Sequence, residues 1–224
     1  EGFDSQSAGR ALARFIDDLS NWYVRRSRRR FWDGETAALG TLHECLVTLT
    51  KLLAPLVPFV TEQVWQELVR PTDSSAPASV HLADWPVADL SAINIELGKQ
   101  VALTRRIVEL GRATRAESGI KIRQPLGRAL IAASGWSTLP EAMREQIADE
   151  LNVKEVVFKE SSDEAIVAEY DITMTPELQA EGELRELVRS IQAERKNLGL
   201  KLNQSVEVTV PEKFKAWNPF LSFD

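Results

Sequence analysis

Asp18-Leu19-Ser20-Asn21-Trp22-Tyr23-Val24-Arg25-Arg26-Ser27-Arg28-Arg29-Arg30-Phe31-Trp32 sets five arginines between two aromatic pairs. Turned through about 100° per residue, the stretch reads as the end of one amphipathic helix. Leu12, Phe15, Ile16, Leu19, Trp22, Tyr23, Arg26 and Arg30 then share one face, and Arg10, Arg14, Asn21, Arg25, Arg28 and Trp32 share the other. On this count Arg26 and Arg30 point toward the core, where a buried guanidinium needs a carboxylate partner. Arg25, Arg28 and Trp32 point outward with no apolar reason to be there. A solvated charged face is one reading. An outward indole beside guanidinium groups is also a stacking surface for unpaired bases.

The helix stops at Asp33-Gly34-Glu35, and Thr36 to about Leu53 reads as a second helix striped by Leu39, Leu42, Leu46, Leu49 and Leu53. Pro55 and Pro58 interrupt it, because each ring removes a backbone donor and clashes with the preceding turn. A third helix is expected from about Phe59 to Val69, then a polar linker from Pro71 to Pro77. A long helix is expected from about Asp89 to Glu117, stopped by Gly119 as a left-handed cap. Beyond it the pattern predicts a strand over Ile120 to Ala132, a helix over Pro140 to Leu151, and strands over Val153 to Lys159 and Ile166 to Thr173. A helix over Pro176 to Lys196 and a strand running through Val210 follow.

The second half carries an internal repeat at an offset of 80 residues. Arg105, Val108, Ala113, Arg115, Gly119, Lys121 and Gln124 return as Arg185, Val188, Ala193, Arg195, Gly199, Lys201 and Gln204. Helix, cap glycine and alternating segment recur in the same order, which reads as a duplication. The second copy lacks room for a full counterpart of residues 139–173, so the chain reads as truncated at its C-terminal end.

Charge is distributed unevenly. The net charge of −6 argues against a polyanion partner only if it is uniform, and it is not. Residues 1–32 hold seven arginines against four acids, residues 98–128 eight bases against two acids, and residues 149–186 twelve acids against three bases. One cysteine, Cys45, rules out a disulfide framework and suits a reducing cytosol. No apolar run reaches the roughly 18–20 residues of a membrane span, and a soluble, cytoplasmic chain is expected.

Catalytic and metal constellations are not legible. His43 and Cys45 lie two apart on a helix, about 200° from each other, and cannot share a metal; both read as packing or partly buried residues. His81 stands alone, and two histidines leave no Ser-His-Asp or Cys-His set. There is no glycine-rich phosphate loop. No catalytic, cofactor-binding or metal residues are expected.

The Trp-Tyr-then-arginine helix resembles the start of the anticodon-binding helical domain of isoleucyl-tRNA synthetases. Leu52-Leu53-Ala54-Pro55-Leu56-Val57-Pro58-Phe59-Val60-Thr61-Glu62-Gln63-Val64-Trp65 is similar to a segment shared by the isoleucyl, valyl, leucyl and methionyl enzymes of class I. Ser79-Val80-His81-Leu82-Ala83-Asp84-Trp85-Pro86 resembles the extended segment before their next helix. Gly119 to Leu126 and Leu184 to Leu200 look like the C-terminal region of the bacterial-and-eukaryotic-type branch of isoleucyl-tRNA synthetases. The arginine run favours the isoleucyl enzymes over the valyl or leucyl ones.

The resemblance implies a mainly α protein: an anticodon-binding bundle over residues 1–118, with a linker at 70–88 inside it, and a smaller α/β region over 119–224 with a helix-strand repeat. It implies a further helix before Asp4 and no C-terminal zinc module. His-x-Gly-His and Lys-Met-Ser-Lys-Ser elements of the catalytic domain are lacking here. The chain therefore reads as an inactive fragment that positions tRNA for a catalytic domain of the same polypeptide, which uses ATP and Mg to join isoleucine to its tRNA.

The implied partner is the anticodon stem-loop of isoleucine tRNA. The candidate RNA-binding residues are Asn21, Arg25, Arg28, Arg29 and Trp32, with Lys121 and Arg123 as a second patch. Arg115 and Gln124 beside that patch read instead as holding the helix-strand corner, since the repeat reproduces both. A protein-interaction scaffold, a leucine-striped bundle with an acidic block, is the alternative of another class.

Overall fold

The computed structural model describes residues 4–162, 165–201 and positions 204, 207–209, 211 and 214. The chain divides into two compact units, 1–92 and 93–224.

The first unit is helical. α1 (Ser5–Asp18) passes through a π-helical segment, Leu19–Val24, into α2 (Arg25–Trp32), with right-handed helical backbone at both junctions. Asp4 caps the start, its carboxylate accepting from the Ser7 amide at 2.9 Å. At the far end Gly34 takes φ +68°, and the Glu35 amide reaches back to the Arg30 carbonyl at 2.9 Å. That left-handed cap turns the chain into α3 (Thr36–Leu53). The Tyr23 hydroxyl donates to the Ala38 carbonyl at 2.9 Å, tying α3 to the preceding helix.

The π segment corrects the helical wheel. It inserts one residue, so everything after it turns back by about 100° relative to an unbroken α-helix. Ser27 is buried and Phe31 half-buried, where the wheel had placed Arg26 and Arg30. Arg30 is exposed and Arg26 only partly covered. The carboxylate expected for Arg30 is present, but on the surface: Glu35 receives its Nε and Nη2 at 2.7 and 2.6 Å.

α4 (Pro58–Val64) begins on Pro58 and runs through a second π segment, Trp65–Val69. Trp65, Val69, Ala54 and Val80 form a buried cluster. The polar stretch that follows folds back on this helix. Trp65 Nε1 donates to the Pro77 carbonyl at 2.9 Å. The Glu62 carboxylate accepts from the Ser79 hydroxyl at 2.7 Å and the Val80 amide at 3.1 Å. Those donors, the Ser79 hydroxyl foremost, hold the Glu62 carboxyl below its ordinary range. The segment expected to be extended around His81 contains a 3-10 turn, Val80–Leu82.

In the second unit α5 (Ile95–Glu117) packs on α6 (Glu141–Leu151) and β3 (Val167–Asp171). The helix starts at Ile95 rather than Asp89 because Asn94 caps it, accepting from the Leu97 amide at 2.9 Å. β1 (Leu126–Ala132) is the central strand, parallel to β2 (Val153–Lys159) and antiparallel to β3. Leu126, Ala129 and Ile131 of β1 are buried with Ile147 and Leu151 of α6. Gly111 lets α5 approach: a Cβ there would lie 2.6 Å from the Leu151 side chain. α7 (Pro176–Asn197) completes the unit.

The strand expected from Ile120 begins only at Leu126. Arg115 is the reason. It is wholly buried, and it donates to the carbonyls of Leu151 (2.6 Å), Lys121 (3.1 Å) and Gln124. Those bonds curl residues 120–125 into a corner, spending on a side chain the carbonyls that a strand would give to a neighbour. The second copy repeats the corner: Arg195 donates to Lys201 at 3.3 Å and Gln204 at 2.8 Å, and Gly199 matches Gly119 at φ +66° and +68°. The strand expected after α7 is not formed at 201, 204 or 207–209; Val210 and the other intervening positions lie outside the described residues.

Gln124 joins the corner to α7. Its Nε2 donates to the Leu178 carbonyl at 2.8 Å, and its Oε1 lies 2.3 Å from where a Cβ on Gly182 would stand. Two outcomes follow. Arg115→Met leaves three carbonyls without their donor, and chemical denaturation is expected to show a loss of about 3 kcal/mol; Arg195→Met, at the more open copy, is expected to cost about 1 kcal/mol. Gly182→Ala displaces the Gln124 amide at a cost of about 1–2 kcal/mol. Because the two side chains collide directly, Gln124→Ala with Gly182→Ala is expected to cost less than the two single changes added together.

Candidate nucleic-acid interface

Opposite the buried side of α2, five side chains converge. Asn21, Arg25, Arg28, Arg29 and Trp32 are all exposed, and the Trp32 indole is 66% accessible. The π segment orients one of them directly. The Arg25 amide bonds Ser20 and Trp22 and passes over Asn21, whose carbonyl instead accepts from Arg25 Nε at 2.9 Å. The Asn21 amide is in turn held by Asp17 at 2.6 Å. Arg25 is thus exposed with its stem anchored.

Arg29 lies 3.9 Å from Asp33, with side chains 93% and 67% exposed, a pairing of little weight in water. Arg26 stacks over the Trp22 ring at 5.3 Å from its centroid, and Arg30 is engaged by Glu35. The Arg30 hydrogen bonds hold the Glu35 carboxyl low, and Glu35 raises the Arg30 guanidinium in return. The run therefore divides. Arg26 lies over Trp22 and Arg30 is bonded to Glu35, while Arg28 and Arg29 are exposed on the side of Trp32, with Arg25 exposed and its stem held by Asn21.

Lys121 and Arg123 sit on the corner between α5 and β1, in the second unit. Both are exposed, but Arg123 Nη1 lies 3.1 Å from Glu186, which also meets Arg189 at 3.5 Å. Their cleft, about 360 Å³, is lined with carboxylate as well as cation: Lys121, Arg123, Gln124, Glu183 and Glu186. A phosphate there must displace Glu186 from Arg123. That competing group, 63 residues away in the chain, left no local trace in the sequence.

His43 is exposed and Cys45 half-buried, and burial pushes the Cys45 thiol up. Cys45 is thus partly buried as expected, whereas His43 is neither packed nor partly buried. Among the described residues no group of three or more His, Cys, Asp or Glu could hold a metal ion, and no helix is long and apolar enough to cross a membrane.

Comparison with known proteins adds a direct likeness. The chain is 65% identical over 153 residues to the isoleucine–tRNA ligase of Streptomyces avermitilis, covering 68% of this chain and 15% of the relative. Against the ligase of Dehalococcoides mccartyi strain 195 identity is 40% over 221 residues, 90% of this chain and 22% of the relative. Against that of Thermus thermophilus it is 44% over 174 residues, 74% of this chain and 17% of the relative. The chain thus spans between about a seventh and a fifth of the length of these curated relatives. A sequence-family model described as the anticodon-binding domain of tRNA ligase matches residues 1–131, more than half the chain, and the chain belongs to that family.

Proposed function

We propose that this chain is the tRNA-recognition part of an isoleucine–tRNA ligase and that it holds the anticodon stem-loop of isoleucine tRNA. The observation that carries the reading is the outward face of α2, where the exposed Trp32 indole shares a surface with the exposed side chains of Arg25, Arg28 and Arg29. An anticodon is single-stranded, so its bases can stack on a ring and be read on their edges, while its phosphates need cations. Trp32 supplies the ring, Asn21 an amide, and Arg25, Arg28 and Arg29 charge and planar donors. Lys121 and Arg123 form a second, weaker contact, because Glu186 competes for Arg123.

The role is positional. Binding at the anticodon orients the acceptor end toward a catalytic domain in the same polypeptide, where ATP and Mg support attachment of isoleucine in the cytoplasm. The residues on this face bind and orient, and no proton or acyl transfer is assigned to them.

Binding of the chain to the anticodon stem-loop of isoleucine tRNA, and to the same stem-loop with its anticodon replaced, tests this. The native loop is expected to bind more tightly, and Trp32→Ala is expected to weaken it by about 1–3 kcal/mol, the range for one base stacked on a ring. Equal affinity for both loops, with Trp32→Ala neutral, overturns base recognition on this face.

A further inference from the structure

The cationic side of the first helix does not end at Asn21. Arg10 and Arg14 are exposed on α1, two hundred degrees or so from Leu12 on the wheel, hence opposite its inward side. On an unbroken α-helix Arg29 would lie about 100° round from Arg10. The extra residue of Leu19–Val24 removes that offset, so that Arg10, Arg14, Arg25 and Arg29 fall along one outward line.

The two ends of this line differ in chemistry. Near Arg25 and Arg29 there is a ring, Trp32, and an amide, Asn21. Among the described residues of α1, the face that carries Arg10 and Arg14 has no ring, and its other polar side chains are Gln6 and Asp17. The apolar side chains of that half, Leu12 and Phe15, turn the other way and line an apolar groove with Leu49 and Leu52. The lengths differ too. From Arg25 to Trp32 is about 10 Å at 1.5 Å per residue, the span of three nucleotides at about 3.4 Å each. From Arg10 to Arg29 is nearly three times as far, about 28 Å. A triplet cannot cover the line.

We propose that Arg10 and Arg14 form a phosphate clamp for the base-paired stem next to the loop, gripping its backbone without reading its sequence. This rests on the anticodon-binding reading above and extends it. Bases in a duplex are stacked on each other and offer no face to a ring, so a contact with guanidinium groups and no ring suits a paired backbone. Recognition is then divided along one helix: register from the stem at the α1 end, discrimination from the loop at the α2 end.

Arg10→Gln with Arg14→Gln, made in the full chain, separates the two roles. On the stem-loop of isoleucine tRNA, log K plotted against log salt is expected to become shallower by about 1.4 to 1.8, two contacts at roughly 0.7–0.9 each. The affinity loss should be the same for native and substituted anticodons. On a single-stranded oligonucleotide of the loop alone the variant should bind as the unaltered chain does. Both side chains are exposed, so an unchanged circular dichroism spectrum is expected and checks the fold.

An unchanged slope and affinity on the stem-loop, with Trp32→Ala still weakening it, overturns the clamp and leaves the anticodon reading standing. A loss that depends on the anticodon, or that persists on the single strand, also overturns the clamp, since the arginines would then contact the loop. Failure of the unaltered chain to bind any stem-loop overturns the clamp and the anticodon reading together.

Discussion

One extra residue in the turn Leu19–Val24 decides which arginines of the first helix meet solvent. α2 packs on α3, and a regular α-helix of this sequence would carry Arg26 and Arg30 into that contact. Burying even one guanidinium without several hydrogen bonds costs several kcal/mol. Widening a turn is cheaper. It moves Ser27 and Phe31 inward and leaves the charged groups at the surface. The same widening passes over the Asn21 carbonyl, which then steadies Arg25. Packing and presentation of the candidate interface thus share a cause.

The second unit shows the opposite treatment of an arginine. Arg115 is buried, and main-chain carbonyls from the end of α6 and from the corner surround it. Burial opposes its charge and pulls its pKa below the ordinary value, and its guanidinium lies 5.7 Å from the centre of the Tyr170 ring. A rigid fork of donors can collect carbonyls that point in several directions, and a lysine could not. That Arg195 holds the same pair of carbonyls around Gly199 gives the 80-residue repeat a physical basis: arginine, cap glycine and glutamine are the parts one corner needs.

Most helices were legible because their boundaries carry local chemistry. Gly34 and Gly119 stop helices by adopting positive φ, and Pro58 and Pro176 start them. The start of β1 was not, because alternation in Ile120-Lys121-Ile122-Arg123 looks like a strand, while the bonds that prevent one come from Arg115. Nor could the wheel foresee the π turn, which a fixed angle per residue excludes by construction. Outward placement of Arg25, Arg28 and Trp32 survived the shift because those residues lie far enough from the packed side to remain outside it. The ion pair at Arg123 was beyond reach, since its partner sits on another helix.

The overall negative charge does not weaken the cationic face, because many of the acids are engaged where they stand. Glu150 meets Arg112, Glu155 meets Arg128, Glu181 meets Lys154 and Arg185, and Glu186 meets Arg123 and Arg189. Exposed charges separated by more than about 8 Å are largely screened at physiological salt. A polyanion approaching α1 and α2 therefore responds to the groups within that range. There, among the described residues, Glu35 is bonded to Arg30, Asp17 to Asn21 and Asp33 lies 3.9 Å from Arg29, and the rod exposes Arg10, Arg14, Arg25, Arg28 and Arg29. Net charge is a property of the whole chain, whereas attraction is a property of one face of one helix.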